Sequence, residues 1–474
     1  MRIQYFYDEA LAQASYLVGC NASGEACVID PARDIAPYLA AAAAHQLKIA
    51  FVTETHIHAD FVSGARELDA ASGARLLLSD EGAPDWRYGY GDAAGAQRLR
   101  DGDVFWLGRI RFEVMATPGH TPEHIVFVVT DTAAADRPIG VFSGDCLFVG
   151  DVGRPDLLET AAGFAGTKAL GARQQLASIR RLAALPDYLQ VWPGHGAGSA
   201  CGKALGAIPS TTLGYERLFN PAFQRSDEAS FVAWLLDGQP EPPRYFAQMK
   251  RVNRDGPALL RDLPRPATLD RAAVERELAA GGQVIDLRPQ AEVARAHLPG
   301  TLSVPASRAN FSTYVGWYAD FGRPFTFIAP AADRDRLLGA LRAVGVDDVR
   351  GWADPSVVRD DDEALPTLDV ADFGAELATG RAAIVDVRGA GEWQAGHVPG
   401  ATHIPFGDIV ARQAELPRDR PIVLQCQTGY RAHVAASALR RAGWTNVVSL
   451  VDPGSSFAAY ATAVEPAPAP VGAV

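Results

Sequence analysis

The sequence contains few cysteines, no long apolar run and no cluster of basic residues. Five cysteines among 474 residues form no CxxC pair, and their odd number leaves at least one thiol outside any intramolecular disulfide. We therefore expect a reducing, cytoplasmic location. No stretch reaches the roughly 18 apolar residues that a membrane-spanning helix needs, and Asp8 and Glu9 near the N-terminus are unlike a signal peptide. No membrane association is expected.

The charge balance argues against nucleic acid as a partner. Lys and Arg number 44 against 56 Asp and Glu, a formal net charge of −12, and the acidic residues are spread along the chain. Nucleic acids and anionic membranes both bind clustered Lys and Arg, which the sequence lacks. At about 150 residues per domain, the length suits two to four domains.

The order of predicted elements is typical of an α/β protein with several domains. Residues 1–245 alternate short apolar strands with glycine-rich and proline-rich loops and a few helices. Residues 246–267 contain several prolines, which suits a linker. The last residues, 463–474, are rich in Pro and Ala and predict a flexible tail.

An internal repeat follows the proline-rich stretch. The segment VIDLRPQAEVARAHLPGTLSVP begins at Val284, and IVDVRGAGEWQAGHVPGATHIP begins 100 residues later at Ile384. The repeat predicts two related modules, 268–358 and 366–462, each with alternating strands and helices that form a parallel sheet. The positions that recur are Asp286, Arg288, Glu292, His297, Pro299, Gly300 and Pro305, matched by Asp386, Arg388, Glu392, His397, Pro399, Gly400 and Pro405.

Four fragments in residues 1–245 place a side chain that can bind metal just beyond a predicted strand. They are THIHAD at 55–60, PGHT at 118–121, SGD at 143–145 and PGHG at 193–196. A lone histidine is more often a core or surface residue than a ligand, but four fragments of one form make that explanation weak. Imidazole and carboxylate together suit zinc or iron. The fragments therefore predict a metal site built from loops that a sheet holds together.

The order and spelling of these fragments resemble the metallo-β-lactamase superfamily over residues 10–240. The resemblance implies an αββα sandwich with the metal site at the edge of two packed sheets. The sequence departs from the superfamily motif at Phe61, where dinuclear members have a histidine. That histidine and the position of His195 serve the second metal in those members, so Phe61 puts a second metal in doubt.

His56, His120 and Asp145 remain as ligands for one metal. Two imidazoles and one carboxylate form the facial triad of non-haem Fe(II) oxygenases, with positions left open for substrate and O₂. This set resembles the persulfide dioxygenase branch, which oxidises glutathione persulfide to sulfite. His58, Asp60 and His195 would then surround the ligands and orient them through hydrogen bonds.

The segment GRPD at 153–156 adds a candidate substrate contact. The resemblance implies that Arg154 binds a substrate carboxylate, and the alternative is a structural ion pair with Asp156 or Asp151. The role of Cys201, six residues after His195, stays open. Oxygenases of this type often form dimers or tetramers, so the resemblance also allows a homo-oligomer.

The last module carries a candidate nucleophile. The run PIVLQCQTGYR at 421–431 reads as a buried parallel strand, a short loop with Cys426 and the start of an Ala-rich helix. Successive backbone N–H groups, a helix N-terminus and Arg431 would stabilise a thiolate there, and such a thiolate can carry sulfane sulfur as a persulfide. The motif resembles the rhodanese family, which implies a single-loop sulfurtransferase. An inert buried cysteine is the alternative.

The first module lacks this nucleophile. Aligning Pro324 with Pro421 places Ala329 where Cys426 lies and Arg334 where Arg431 lies. Pro330 also removes one backbone N–H donor from the loop. We therefore interpret residues 268–358 as a degenerate rhodanese-like domain with a structural or docking role.

Three hypotheses follow for the whole chain. The leading one is a fused persulfide dioxygenase and sulfurtransferase that uses one Fe(II), O₂ and a thiol persulfide such as glutathione persulfide, and that forms sulfite and thiosulfate. The second is a zinc-dependent thioester hydrolase of glyoxalase II type, with His58 as a zinc ligand. The third is a non-catalytic protein that carries sulfur to partners on Cys426.

Overall fold

The computed structural model describes residues 1–160, 166–452 and 459–460. The chain forms two compact units, one made of Met1–Leu263 with Leu338–Asp347 and the other of Pro264–Leu337 with Asp348–Val474. The tail predicted for 463–474 lies outside the described residues. Within the described part of the chain, no helix is both long enough and apolar enough to cross a bilayer.

The first unit contains two six-stranded sheets. The first sheet follows chain order: β1 (Arg2–Asp8), β2 (Gln13–Cys20), β3 (Glu25–Ile29), β4 (Lys48–Thr53), β5 (Arg75–Ser79) and β6 (Gln97–Leu99). The second contains β7 (Val104–Leu107), β8 (Ile110–Ala116), β9 (Ile125–Asp131), β10 (Gly140–Gly144), β11 (Gln190–Pro193) and β12 (Thr211–Thr212), with β7 and β12 at its edges. The helices are α1 (Ala36–Ala44), α2 (Ala65–Ser72), α3 (Leu157–Thr160), α4 (Lys168–Ala183), α5 (Leu213–Phe219), α6 (Glu228–Leu236) and α7 (Phe246–Asp255).

The core of this unit lies between the two sheets. Side chains of β8 alternate between buried and half-buried, because one face of the strand turns to the other sheet. Phe105, Phe112, Phe127 and Phe142 are buried in this layer, and each large apolar side chain contributes about 1.5–3 kcal/mol when fully buried. Helices α1 and α2 supply buried residues to a cluster with the first sheet, and α4 and α6 do so with the second. This is the predicted αββα sandwich.

Helix α7 occupies a stretch that the sequence analysis assigned to a linker. The first unit extends to Leu263, and α7 buries Phe246, Met249, Lys250 and Asn253 on one face. The prolines around 240–243 and 257–266 frame the helix on both sides, which is why this stretch resembled a connection.

The second unit contains two five-stranded parallel sheets. The strands and helices of the first repeat are β13 (Ala267–Leu269), α8 (Arg271–Ala279), β14 (Gln283–Asp286), α9 (Gln290–Arg295), β15 (Leu302–Ser303), α10 (Phe311–Tyr318), β16 (Phe325–Ile328), α11 (Arg334–Ala343, its end in the first unit) and β17 (Val349–Ala353). Those of the second are β18 (Thr367–Leu368), α12 (Val370–Thr379), β19 (Ala383–Asp386), α13 (Ala390–Ala395), β20 (Thr402–His403), β21 (Ile422–Gln425), α14 (Tyr430–Arg441) and β22 (Val447–Leu450).

The two sheets have the same topology. Their strand orders are β13-β17-β16-β14-β15 and β18-β22-β21-β19-β20, which agree position by position. The recurring Asp and Arg form the same buried ion pair in both, Asp286 with Arg288 and Asp386 with Arg388, each at 2.7 Å. The internal repeat is therefore a structural repeat, and its recurring polar residues stabilise the loop after the second strand.

Candidate functional site

The metal-capable side chains of the first unit follow four strands, as the fragments predict. His56 and His58 follow β4, His120 follows β8, Asp145 follows β10 and His195 follows β11. A Cβ atom on Gly194 would lie only 2.6 Å from the Asp145 carboxylate, so glycine is needed where the loop after β11 approaches this side chain.

The structure brings His56, His120 and Asp145 together, and all three are buried. The Oδ2 atom of Asp145 lies 3.8 Å from Nε2 of His56 and 3.5 Å from Nε2 of His120. Among the described residues, neither Nε2 of His56 nor Oδ2 of Asp145 has a hydrogen-bond partner. Buried polar atoms rarely stay unpaired, and two imidazole nitrogens with one carboxylate oxygen suit iron or zinc. The three residues fit a bound metal ion.

Both imidazoles are in the protonation state that metal binding needs. Burial, and after it the nearby charge of His58, holds the pKa of His56 well below its usual range. Burial likewise lowers the pKa of His120 to about 4. The Nδ1 atom of His120 lies 2.9 Å from the carbonyl oxygen of Arg154, which can only accept, so Nδ1 donates and Nε2 keeps its lone pair.

His195 lies between two carboxylates. Its Nδ1 is 2.8 Å from Oδ1 of Asp145, and its Nε2 is 2.7 Å from Oδ2 of Asp60. Burial opposes the charged ring, but the two carboxylates raise the pKa of His195 well above its usual value. Facing this cation, the pKa of Asp145 is lowered in spite of burial. His195 thereby fixes the Asp145 carboxylate so that Oδ2 faces His56 and His120.

The His58 ring lies 4.3 Å from that of His56, centre to centre, and among the described residues its Nδ1 has no hydrogen-bond partner. Its Nε2 lies 3.2 Å from Oδ1 of Asp30, and this carboxylate outweighs burial and raises the pKa of His58 to about 9. The group of buried ligand atoms contains His56, His120 and Asp145 but not His58. A second group joins Asp60, His195 and Cys201, with its ligand atoms within 4.8 Å of one another. In that group both ring nitrogens of His195 already have carboxylate partners.

Two supports of the site were absent from the sequence interpretation. His124 lies four residues after His120, and its Nε2 accepts from the backbone N–H of Asp145 at 3.0 Å. Asn253, on α7, donates to the carbonyl oxygens of His58 and Phe61 at 2.9 and 2.7 Å. The PGHTPEH spelling could have indicated His124, whereas nothing in the sequence links Asn253 to a loop almost 200 residues away.

Arg154 lies in a buried ion pair. Its guanidinium donates to both carboxylate oxygens of Asp156, at 2.9 and 2.6 Å, and to the carbonyl oxygens of Ala200 and Pro240. This is the ion pair that the sequence analysis kept as the alternative. Substrate binding by Arg154 would require these hydrogen bonds to be exchanged.

A cavity of about 240 Å³ beside the grouped residues is lined by three basic side chains and by the carboxylate of Asp85. Ile57, which follows His56, lines it together with Trp86, Lys250, Arg251 and Arg254. The ammonium group of Lys250 lies 4.5 Å from the centre of the Trp86 ring. Burial lowers the pKa of Lys250 to about 8, with Glu123 opposing, so the side chain is mostly a cation at neutral pH. Because Arg254 pairs with Asp255, the lining keeps the charges of Lys250 and Arg251 against that of Asp85, and this small positive excess suits an anionic ligand.

The second unit places Cys426 as the rhodanese-like motif predicts. Cys426 follows β21 and precedes α14, and its sulfur accepts from the backbone N–H of Ala432 at 3.4 Å. Arg431 lies at the same helix start, but its guanidinium forms two hydrogen bonds with the Glu392 carboxylate, at 2.5 and 2.8 Å. In the first repeat Ala329 follows β16 at the corresponding position, and its carbonyl oxygen accepts from the Trp352 indole at 3.0 Å.

Comparison with known families matches both kinds of domain. Residues 9–195 match the metallo-beta-lactamase superfamily, and residues 369–456 match the rhodanese-like domain. A metallo-beta-lactamase structure from Staphylococcus aureus has 39% identity, a TM-score of 0.66 and coverage of 75% of this chain and 99% of its own.

Two curated relatives indicate different chemistries. A hydroxyacylglutathione hydrolase from Rhodopseudomonas palustris is 31% identical over 50% of this chain and 80% of its own length. The human mitochondrial persulfide dioxygenase ETHE1 is 31% identical over 34% of this chain and 58% of its own length. The chain spans between 54% and 72% of the first three curated relatives that it matches.

Proposed function

Because the chain belongs to the metallo-beta-lactamase superfamily and carries a rhodanese-like domain, we propose that it oxidises a thiol persulfide to sulfite and transfers sulfur through Cys426. One observation carries the oxidation: the ligand atoms of two neutral imidazoles and one carboxylate lie within 4.8 Å of one another, while Nε2 of His58 and both ring nitrogens of His195 already face carboxylates. This donor set leaves the open positions that an iron oxygenase needs. The similarity to persulfide dioxygenase ETHE1 supports it.

His56, His120 and Asp145 would hold one Fe(II). When bound, the iron would supply the redox chemistry by which O₂ adds to the terminal sulfur of the persulfide. In the overall reaction one persulfide, one O₂ and one water give one thiol and one sulfurous acid, which ionises to sulfite. Sulfur supplies the electrons that reduce O₂, so no further reductant is required.

The residues around the ligands hold the site in one geometry. Thr55 and the Arg154 carbonyl contact Nδ1 of His56 and His120 and thereby orient both rings. The charged His195 holds Asp145 in its ionised form. Because His195 contacts only Oδ1 of Asp145, the carboxylate keeps Oδ2 for the metal.

The cavity beside the site favours an anionic thiol carrier. With Arg254 paired to Asp255, Lys250 and Arg251 leave the lining a small positive excess over Asp85, which suits a carrier with carboxylates, such as glutathione. The ring of Trp86 gives the cavity an apolar wall. Glutathione persulfide is therefore the substrate that we propose first.

Sulfur transfer would proceed at Cys426. The thiolate attacks the sulfane sulfur of the donor, the donor S–S bond breaks, and its electron pair leaves with the donor's other sulfur as a thiolate or as sulfite. The resulting Cys426 persulfide then gives its outer sulfur to a nucleophile. With sulfite as acceptor, thiosulfate forms and the Cys426 thiolate is regenerated.

A zinc-dependent thioester hydrolase is the second candidate. The extended similarity to hydroxyacylglutathione hydrolase, over 80% of that protein's length, favours it. The two are separated by loading the metal-free protein with iron or zinc and assaying each form with glutathione persulfide under O₂ and with a glutathione thioester. The proposal predicts oxidation by the iron form alone. Thioester turnover by the zinc form without persulfide oxidation by the iron form would overturn it.

A further inference from the structure

The cysteine loop of the second repeat is faced by residues of the first repeat, and both belong to the second unit. The Tyr430 hydroxyl donates to the carbonyl oxygen of Pro305 at 2.7 Å. Ser303 lies 2.8 Å from Nε2 of His433, and its backbone N–H donates to Ser437 at 2.7 Å. These buried hydrogen bonds fix the start of the segment 303–318 against α14. The remaining residues of this segment therefore have a defined position at the cysteine loop.

Arg308 reaches the cysteine loop itself. Its Nη2 donates to the hydroxyl of Thr428 at 2.6 Å, and its guanidinium carbon lies 4.8 Å from the centre of the Tyr430 ring. Thr428 is the second residue after Cys426. The Arg308 side chain is exposed, so it borders the loop and also meets solvent. Its planar fork retains N–H donors that a bound oxyanion can use.

The two arginines at this loop, Arg431 and Arg308, differ in the net charge that they bring to it. Arg431 is paired with the Glu392 carboxylate through two hydrogen bonds, and despite burial this partner raises the pKa of Arg431. The pair therefore adds little net charge. Among the described residues, no carboxylate forms an ion pair with Arg308. Arg308, contributed by the other repeat, thus brings an uncompensated positive charge to the loop that carries Cys426.

Tyr314 completes this side of the loop. Its ring contacts that of Tyr430 edge-on, with 4.8 Å between centres. Burial raises the pKa of Tyr314, against the opposing charges of Arg431 and Arg308 and with a contribution from Cys426. The hydroxyl therefore stays protonated at neutral pH and is available as a hydrogen-bond donor at this side of the loop.

We propose that Arg308 and Tyr314 of the first repeat form the outer wall of the Cys426 site and bind the oxyanion end of the sulfur donor or acceptor, the sulfonate of thiosulfate or the sulfite ion. This inference rests on the sulfur transfer proposed above. It gives the first repeat, which has Ala329 in place of a nucleophile, a direct part in recognition.

A kinetic comparison in the full-length protein tests the wall. Arg308→Gln should raise KM for thiosulfate about tenfold or more in a sulfurtransferase assay, because it removes a charged hydrogen-bond donor to the oxyanion. Transfer from an uncharged organic persulfide should change less than about twofold. Arg336→Gln, which alters an exposed arginine of the same repeat that pairs with Asp333, is the matched control and should leave both KM values unchanged. Equal effects of Arg308→Gln on the two donors would overturn the inference.

A second measurement does not depend on turnover. The rates at which iodoacetate and iodoacetamide alkylate Cys426, followed by peptide mass spectrometry, differ mainly in the charge of the reagent. The ratio of the iodoacetate rate to the iodoacetamide rate should fall severalfold in Arg308→Gln, fall less in Tyr314→Phe and stay constant in Arg336→Gln. An unchanged ratio in Arg308→Gln overturns the wall. A reduced ratio in a protein that transfers no sulfur supports the wall and overturns only the sulfurtransferase activity.

Discussion

At the scale of single residues, Arg154 of the first unit could either stabilise the fold or bind substrate. Arg154 is only 1% exposed and donates hydrogen bonds to both carboxylate oxygens of Asp156. Removing one member of such a pair leaves a buried charge uncompensated, which costs about 3–5 kcal/mol. Its main contribution is therefore expected to be to stability.

Arg154→Met should lower the free energy of unfolding by about 3 kcal/mol, with little change in KM for the fraction that remains folded. Urea denaturation and steady-state kinetics measure the two effects separately. Arg111→Met, which breaks a partly exposed pair with Glu113, should cost less than about 1 kcal/mol. A large rise in KM for Arg154→Met without a loss of stability would instead assign Arg154 to substrate binding.

Lys250 should give substrate binding a pH dependence. Because burial lowers its pKa to about 8, the side chain is charged below that pH and becomes neutral above it. KM for an anionic persulfide should therefore rise as the pH passes through about 8, and Lys250→Met should raise KM at pH 7 and flatten this rise. Lys48→Met changes an exposed lysine at the start of β4 and should keep the wild-type profile. The same profile in Lys250→Met would contradict this role.

Cys426 should separate the two activities. Cys426→Ser removes the sulfur nucleophile in the second unit but leaves His56, His120 and Asp145 of the first unit intact. We expect sulfur transfer to be lost and O₂ consumption with glutathione persulfide to stay within about twofold of wild type. Equal loss of both activities would contradict two independent sites.

At the scale of elements, strands and the loops after them could be predicted, whereas α7 could not. THIHAD, PGH, SGD and PGHG identified loops that converge, because short apolar strands and glycines mark such loops in the sequence. Helix α7 has its effect through tertiary contacts, since Asn253 contacts the backbone of His58, Phe61 and Ser63. Such contacts between distant parts of the chain leave no local signal.

Asn253→Ala should weaken the loop that carries the histidines. It removes three buried hydrogen bonds to the segment 58–63, and at about 1 kcal/mol each the loss is about 2–4 kcal/mol once unpaired groups are included. Iron affinity, measured by competition with a chelator, should fall together with stability. Gln248→Ala on the same helix should change neither quantity appreciably. Wild-type iron affinity in Asn253→Ala would show that α7 does not support the site.

At the scale of the whole molecule, the internal repeat could be predicted clearly from the sequence, whereas the role of its first copy could not. The spacing of 100 residues predicts two modules with one topology, and the matching sheets and Asp–Arg pairs agree with it. The loss of the cysteine at Ala329 indicated a degenerate copy. That Arg308 and Tyr314 of this copy contact Thr428 and Tyr430 could not be foreseen, because the sequence does not state which faces of two modules meet.

Oxygen uptake with glutathione persulfide tests the central claim most directly. Protein loaded anaerobically with iron should consume one O₂ and form one sulfite for each persulfide. His120→Ala should lose this activity, because one of the two imidazoles of the proposed metal site is removed. No uptake by wild-type protein that demonstrably holds iron, with glutathione persulfide or with coenzyme A persulfide, would contradict the assignment as a persulfide dioxygenase.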